Sequence, residues 1–269
     1  MLLSEPGDVA WVENPGYSGA KCAFVKTGLA MTGIPVDDEG MCWEGLCAPS
    51  PTLIFTSPSH QFPYGSVLSA RRRLALLELA RQHNAWIIED DYDSEFRFSG
   101  QPIPALQGLE ADAPVIYIGT FSKTLYPALR LGYVVLPPPL VQALKTAHAE
   151  LYRGGHLLIQ SALAEFIQAG HYTAHIRRMR LLYARRRAFL TGLIEQHLGK
   201  QALSEFNSNA GLHLILNLPD EADDVAIAAA AGARGVLVRP LSRYYMQPNR
   251  RRGLLMGFAC VPEEQMAAA

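Results

Sequence analysis

Apolar residues in this chain come in short dense runs, separated by stretches where they recur every three or four positions, a pattern that predicts strands interleaved with helices. Positions 53–56 form one such run, which ends in the turn-rich segment SPSHQFPYG and precedes a helical pattern over 69–82. Positions 86–88 read as a buried strand, 115–119 as another beyond a proline-punctuated loop, and 131–136 as a third after TFSKTLYPA. The start is abrupt, with PGD leading at once into a strand. Strands alternating with helices predict an α/β fold with a largely parallel sheet.

From 139 to about 197 the pattern is helical, interrupted near Gly154 and Gly155 and again at Gly170. Beyond it, 211–216, 226–231, 235–238 and 254–258 read as strand, helix, strand and strand, a smaller α/β lobe. The expected organisation is therefore a large lobe over 1–183 and a small lobe over 184–269. Both ends read as incomplete relative to a whole domain, the last residues, VPEEQMAAA, stopping where a closing helix would begin.

Composition narrows this picture. Over 269 residues, 49% are hydrophobic and 18% charged, which suits a globular core and excludes a disordered chain. The formal net charge of −1 gives no general positive field for nucleic acid or an anionic membrane. No apolar run approaches the roughly 20 residues of a membrane span, and no export signal opens the chain. Cys22, Cys42, Cys47 and Cys260 form neither a metal-binding pair nor a disulfide framework, as expected in a reducing cytoplasm.

Two clusters hold the candidate chemistry. In IIEDDYDSEF, Asp90 and Tyr92 follow an apolar strand, at the carboxyl end where open α/β sheets place ligands. A run of like charges is ordinarily a solvated loop. In YIGTFSKTLYPALRLGY, a strand delivers Thr120, Ser122 and Lys123 to a loop, with Arg130 at the start of the next strand. Only five of the 24 Lys and Arg side chains are lysines, yet a lone loop lysine is usually a surface residue. Together the clusters supply what pyridoxal 5′-phosphate needs: an amine for its aldehyde, a carboxylate for its ring nitrogen, a hydroxyl for its phenolic oxygen, and hydroxyls with an arginine for its phosphate.

With ENPGY, TSPSHQFPYG, HIRRMRLLYARRR and AGLHL added, these stretches resemble fold type I pyridoxal phosphate enzymes, specifically the aminotransferase-like domain of MocR/GabR-type regulators of the GntR family. The resemblance runs from Glu13 to Phe258. It implies that Lys123 forms the Schiff base, Asp90 holds the ring nitrogen protonated, Tyr92 bonds the phenolic oxygen, and Arg130, Ser122 and Thr120 hold the phosphate. Tyr17 matches the aromatic that stacks on the ring, or else is a packed turn residue. His60 or Gln61 reaches the phenolic-oxygen side, the sequence leaving open which, with a simply packed loop as the alternative. For a substrate carboxylate, Arg252 in the Arg250–Arg251–Arg252 run is the first choice and Arg239 the competitor. No metal is expected. The Arg71–Arg73 and Arg185–Arg187 runs are expected on exposed helix faces or in salt bridges.

The resemblance also implies a homodimer that takes an amino acid or amine as substrate or effector, with any DNA contact made by a different, upstream module. The family's phosphate-binding turn and helix are expected upstream of Met1, and a final helix beyond the last residue. Two activities fit: effector sensing for a regulator, or transamination by a stand-alone enzyme. A third reading is an inactive fragment of either.

Overall fold

The chain builds outward in both directions from its first strand, β1 (Val9–Asn14). On one side lie α1 (Ser18–Lys26), β2 (Ala30–Asp37) and the two-residue β3 (Gly40–Met41). The chain then crosses to the other side for β4 (Leu53–Thr56), α2 (Ala70–Gln82), β5 (Trp86–Asp91), β6 (Val115–Thr120) and β7 (Gly132–Val135). This is a computed structural model that describes residues 2–101, 103–153, 155–206, 209–247 and 251–269, so Gly154 and Arg250 lie outside the described residues.

The seven strands are ordered β3-β2-β1-β4-β5-β6-β7. β2, β1, β4, β5 and β6 run parallel, while β3 and β7 close the edges antiparallel. Strand order reverses between β1 and β4, and a reversal of that kind opens a crevice at the carboxyl ends of the strands. Alternate residues of β1 enter separate cores, as a sheet covered on both faces requires. Trp11 packs with Ile54, Ile87, Val115 and the Leu76–Leu77 face of α2, and Ala10 and Val12 pack with Leu53, Phe55 and Phe24 of α1. Ser69 caps α2, its side chain accepting from Arg72 N.

The expected helical stretch resolves into α3 (Pro138–Tyr152), α4 (Leu157–Gln168) and α5 (His171–Leu198), with Gly170 at φ +79° between the last two. Beyond α5 come β8 (His213–Leu218), α6 (Asp224–Ala233), β9 (Arg239–Pro240), β10 (Arg252–Gly257) and α7 (Glu263–Ala268). Their three strands form a separate antiparallel sheet in the order β8-β10-β9. One face packs on Leu190 and Ile194 of α5, and the other, through Ile215 and Leu255, meets Tyr64, Phe206 and Tyr244. Residue 183, the expected limit of the first lobe, lies within α5. No helix among the described residues is long and apolar enough to cross a membrane.

Three expectations are corrected. The strand expected at 235–238 forms only as Arg239–Pro240, after Gly235 at φ +85°. The arginine run on α2, expected exposed or in salt bridges, departs from that at Arg73 alone; Arg72 and Arg73 are 4% and 2% exposed. Arg72 pairs with Asp37 and donates to Gly40 O at 3.1 Å, and Arg73 donates to Leu68 O, Pro104 O and Pro58 O at 2.9, 2.8 and 2.7 Å. Their neighbour Arg71 is exposed and pairs with Glu39 and Glu44. Nor is the acidic run a solvated loop, because Glu89 to Asp91 belong to β5 itself and Glu89 and Asp93 are 0% and 1% exposed.

Candidate active site

The carboxyl ends of β1, β4, β5 and β6 lie side by side, and each delivers polar side chains to the same edge. The register sets Val12 beside Phe55, Thr56 beside Glu89, and Asp91 beside Gly119, so Glu13, Thr56, Asp90 and Thr120 arrive together.

Glu13 anchors the crevice. Its buried carboxylate accepts from Thr56 Oγ1 at 2.6 Å, Ser57 N at 3.2 Å, Ser57 Oγ at 2.9 Å and Gln61 Nε2 at 3.1 Å. Burial pushes its pKa up while these donors pull it down. Gln61 Nε2 also donates to Pro15 O and Phe62 O, and its Oε1 accepts from Tyr64 N. Both ends of the Gln61 amide are thus engaged within the loop. Arg73 holds the same loop from behind through Pro58 O and Leu68 O.

The acidic run divides its carboxylates by task. Glu89 points into the α2 side and accepts from Leu106 N and Gln107 N at 2.9 and 3.1 Å, closing a short 3-10 turn. Asp91 accepts from Ser94 Oγ and Tyr117 Oη, both at 2.7 Å. Asp93 meets His60 Nδ1 at 3.0 Å. Asp90 differs from them: its carboxylate has no hydrogen-bond or ion-pair partner among the described residues. Burial, then the nearby charges of Glu13, Asp91 and Asp93, push its pKa up to about 7.

Tyr92 and His60 come together, with Tyr92 Oη 2.9 Å from His60 Nδ1. His213, from the start of β8, completes the group, its ring centroid 5.1 Å from that of His60 and its Nε2 2.9 Å from Pro63 O. Burial and then His60 lower the His213 pKa to about 4, so its ring is neutral and Nε2 donates to Pro63. Ligand-type atoms of His60, Asp93 and His213 lie within 4.8 Å of one another, a spacing a metal ion tolerates. Hydrogen bonds already occupy His60 Nδ1 and His213 Nε2.

Phe62 joins these groups to Tyr17. Its ring meets Tyr17, Tyr92, His213 and Tyr244 edge-on at 6.1, 6.1, 5.5 and 5.0 Å. Tyr17 precedes α1 and is 48% exposed, so its ring is both packed against Phe62 and accessible.

The β6–β7 loop carries the other cluster. Thr120 Oγ1 accepts from Ser122 N at 3.1 Å, and Phe121 N donates to Leu131 O at 3.1 Å, which folds Arg130 back beside Thr120 and Ser122. Arg130 takes the left-handed φ of +53° that the turn requires. Lys123 is exposed, and its charge is one of the influences on His213, which sets it on the His213 side of the crevice. Thr124, next to it, is buried, and its carbonyl lies 3.0 Å from His175 Nε2 of α5.

The arginines proposed for a carboxylate stand apart from this edge. Arg252 pairs with Leu218 at one end of the β8–β10 ladder, whereas His213 pairs with Gly257 at the other. It lines a cavity of about 610 Å³ with Asp220, Asp223, Tyr245 and Met246. Arg239 is exposed on β9 opposite Leu255.

The sequence reading omitted Glu13, Phe62, Asp93 and His213. Each lies inside a motif that was noticed, ENPGY, SPSHQFPYG, EDDYD and AGLHL, but its partner comes from another segment, so spacing along the chain carried no signal.

Comparison with known proteins follows the same outline. The model of the family "Aminotransferase class I and II" matches residues 1–269. The chain is 40% identical over 265 residues to the probable rhizopine catabolism regulatory protein MocR of Rhizobium meliloti, covering 98% of this chain and 54% of that protein. It is 38% identical over 265 residues to the HTH-type transcriptional regulator YhdI of Bacillus subtilis, covering 98% and 56%. The chain thus spans about half the length of these curated relatives. Among solved structures it is similar to the kynurenine aminotransferase of Pyrococcus horikoshii, with a TM-score of 0.90 and 28% identity, over 99% of this chain and 68% of that one.

Proposed function

Because this chain belongs to the class I and II aminotransferase family, with the fold type I architecture, we propose that it binds pyridoxal phosphate through Lys123, exchanges it with an amino acid or amine, and serves as the effector-sensing part of a MocR-type regulator. The carrying observation is Asp90, a carboxylate without a partner among the described residues, held among Glu13, Asp91 and Asp93 at the crevice edge. Such a group calls for a cation, and a protonated pyridine nitrogen is one. The remaining groups fit the same ligand: the hydroxyl of Tyr92, an amine at Lys123, and Thr120, Ser122 and Arg130 around the β6–β7 turn.

When bound, the cofactor supplies an electron sink that loosens bonds at an amino acid's Cα. Lys123 would hold the cofactor's aldehyde carbon and, as a free amine, would carry a proton to and from the substrate's Cα. Asp90 keeps the ring nitrogen protonated, and Tyr92 donates to the phenolic oxygen. Arg130 and the two hydroxyls hold the phosphate by charge-assisted hydrogen bonds. Tyr17 covers the ring face; Arg252, with Arg239 as the competitor, stands apart from the crevice edge and is not assigned the substrate carboxylate. In this reading 1–183 forms the cofactor lobe and 184–269 the small lobe, two copies pair, and DNA is bound by another part of the regulator.

Similarity to MocR and YhdI favours sensing, and similarity to the Pyrococcus enzyme keeps a stand-alone transaminase as the second reading. The test is the visible absorption of the protein with added pyridoxal phosphate, beside Lys123→Ala. A band present in the wild type and lost in the variant supports the assignment, and absence of a band in the wild type rejects it. An amine panel then separates the readings: a spectral change without release of keto acid indicates sensing, and multiple turnovers indicate an enzyme.

A further inference from the structure

We propose that Asp93 and His60 fix Tyr92 as a hydrogen-bond donor aimed into the crevice, His60 acting as a positioning residue behind Tyr92. Asp93 is 1% exposed, and His60 Nδ1 is the one hydrogen-bond partner of its carboxylate among the described residues, at 3.1 Å from Oδ1 and 3.0 Å from Oδ2. A carboxylate only accepts, so the imidazole nitrogen that faces it must supply the hydrogen. Nδ1 therefore carries the hydrogen.

That assignment decides the role of Tyr92. Its Oη lies 2.9 Å from the same Nδ1, and a protonated ring nitrogen has no lone pair to offer. Tyr92 Oη is thus the acceptor in this contact, and its own proton points elsewhere. No other described residue takes that proton in a hydrogen bond. Burial first, and then the negative charges of Asp93, Asp90, Glu13 and Asp91, push the Tyr92 pKa well up, so the hydroxyl stays protonated.

The His60 ring is held in place by backbone. Gly65 and Gly211 have φ of +82° and +79°, and a Cβ on them would lie 2.9 Å from Nε2 and 1.8 Å from Cε1 of His60. His213 packs on the same ring and is kept neutral, so it brings no cation to compete for Asp93. The orientation of Tyr92 follows from these contacts alone. That its proton meets a cofactor oxygen rests on the function proposed above.

The experiment has two arms. In the cofactor-free protein, ¹⁵N NMR of labelled histidine is expected to find His60 as the Nδ1–H tautomer, with a downfield N–H proton that moves in Tyr92→Phe and in Asp93→Asn. An Nε2–H tautomer at His60 overturns the proposal. In the loaded protein, the pH midpoint of the visible band is expected to shift by about one unit in Tyr92→Phe and in the same direction in His60→Leu. The double variant should match Tyr92→Phe alone. His60→Asn, whose Nδ2–H replaces Nδ1–H, should return the midpoint towards wild type. Additive shifts, or no rescue by Asn, overturn it. If the wild type forms no band, the proposed function fails while the tautomer still decides the orientation of Tyr92.

Discussion

Two loops meet at the same sheet edge and are built in opposite ways. The loop after β4, from Ser57 to Leu68, is buried along most of its length and tied to Glu13, Arg73 and Asp93. The loop after β6, from Phe121 to Leu131, leaves Lys123, Tyr126 and Arg130 exposed, with Thr124 as its main buried anchor. A group that positions others needs fixed neighbours on every side, whereas a lysine that must reach and release a substrate needs space. Under the proposed function, rigidity therefore sits in the loop that positions and accessibility in the loop that carries Lys123.

Substitutions can break or sharpen this contrast. Gly211→Ala should have the largest effect, since a Cβ would overlap His60 and the position has φ +79°; we expect about 3 kcal/mol or more of lost stability in denaturant unfolding. A loss below about 1 kcal/mol would show that the loop after β4 yields and is not rigid.

Asp90→Asn comes next. With its folded pKa raised to about 7 against an ordinary 3.8, Asp90 adds stability that is complete below the lower value and lost as pH rises through the higher one. The cofactor-free Asn variant should therefore exceed the wild type at pH 8 by on the order of 1–2 kcal/mol, converging with it near pH 4. Melting curves at both pH values check this, and equal stability at pH 8 would mean that Asp90 has a partner after all. Saturating cofactor should erase the difference or reverse it.

Tyr126→Ala in the accessible loop should change stability by no more than about 0.5 kcal/mol, as its ring is 63% exposed. A larger loss would break the contrast from the other side.

Sequence patterning located β4, β5, β6 and α2 because strand runs and helical periodicity are local signals, and it put Lys123 on the loop after β6 for the same reason; Asp90, expected on a loop, lies within β5, whose last three residues are acidic and so carry no apolar signal. The short β3 and β9 carry too few residues to show a period. Arg73 reads as exposed or salt-bridged because charge is normally solvated or paired. Only the carbonyls of Pro58, Leu68 and Pro104, gathered by folding, make a buried guanidinium tolerable.

By itself the sequence determined the alternating architecture, the family resemblance and the set of chemical groups available. Tertiary structure decided which group does what. Asp90 and Glu89 are adjacent carboxylates in one run, yet strand alternation sends one into a backbone clasp on the α2 side and leaves the other without a partner in the crevice. His60 was undecided against Gln61 until Glu13, 48 positions away from Gln61, took the amide, and Asp93, 33 positions away from His60, took the imidazole. Hydrogen bonds and desolvation act over a few ångströms, and that proximity exists only after the chain has folded.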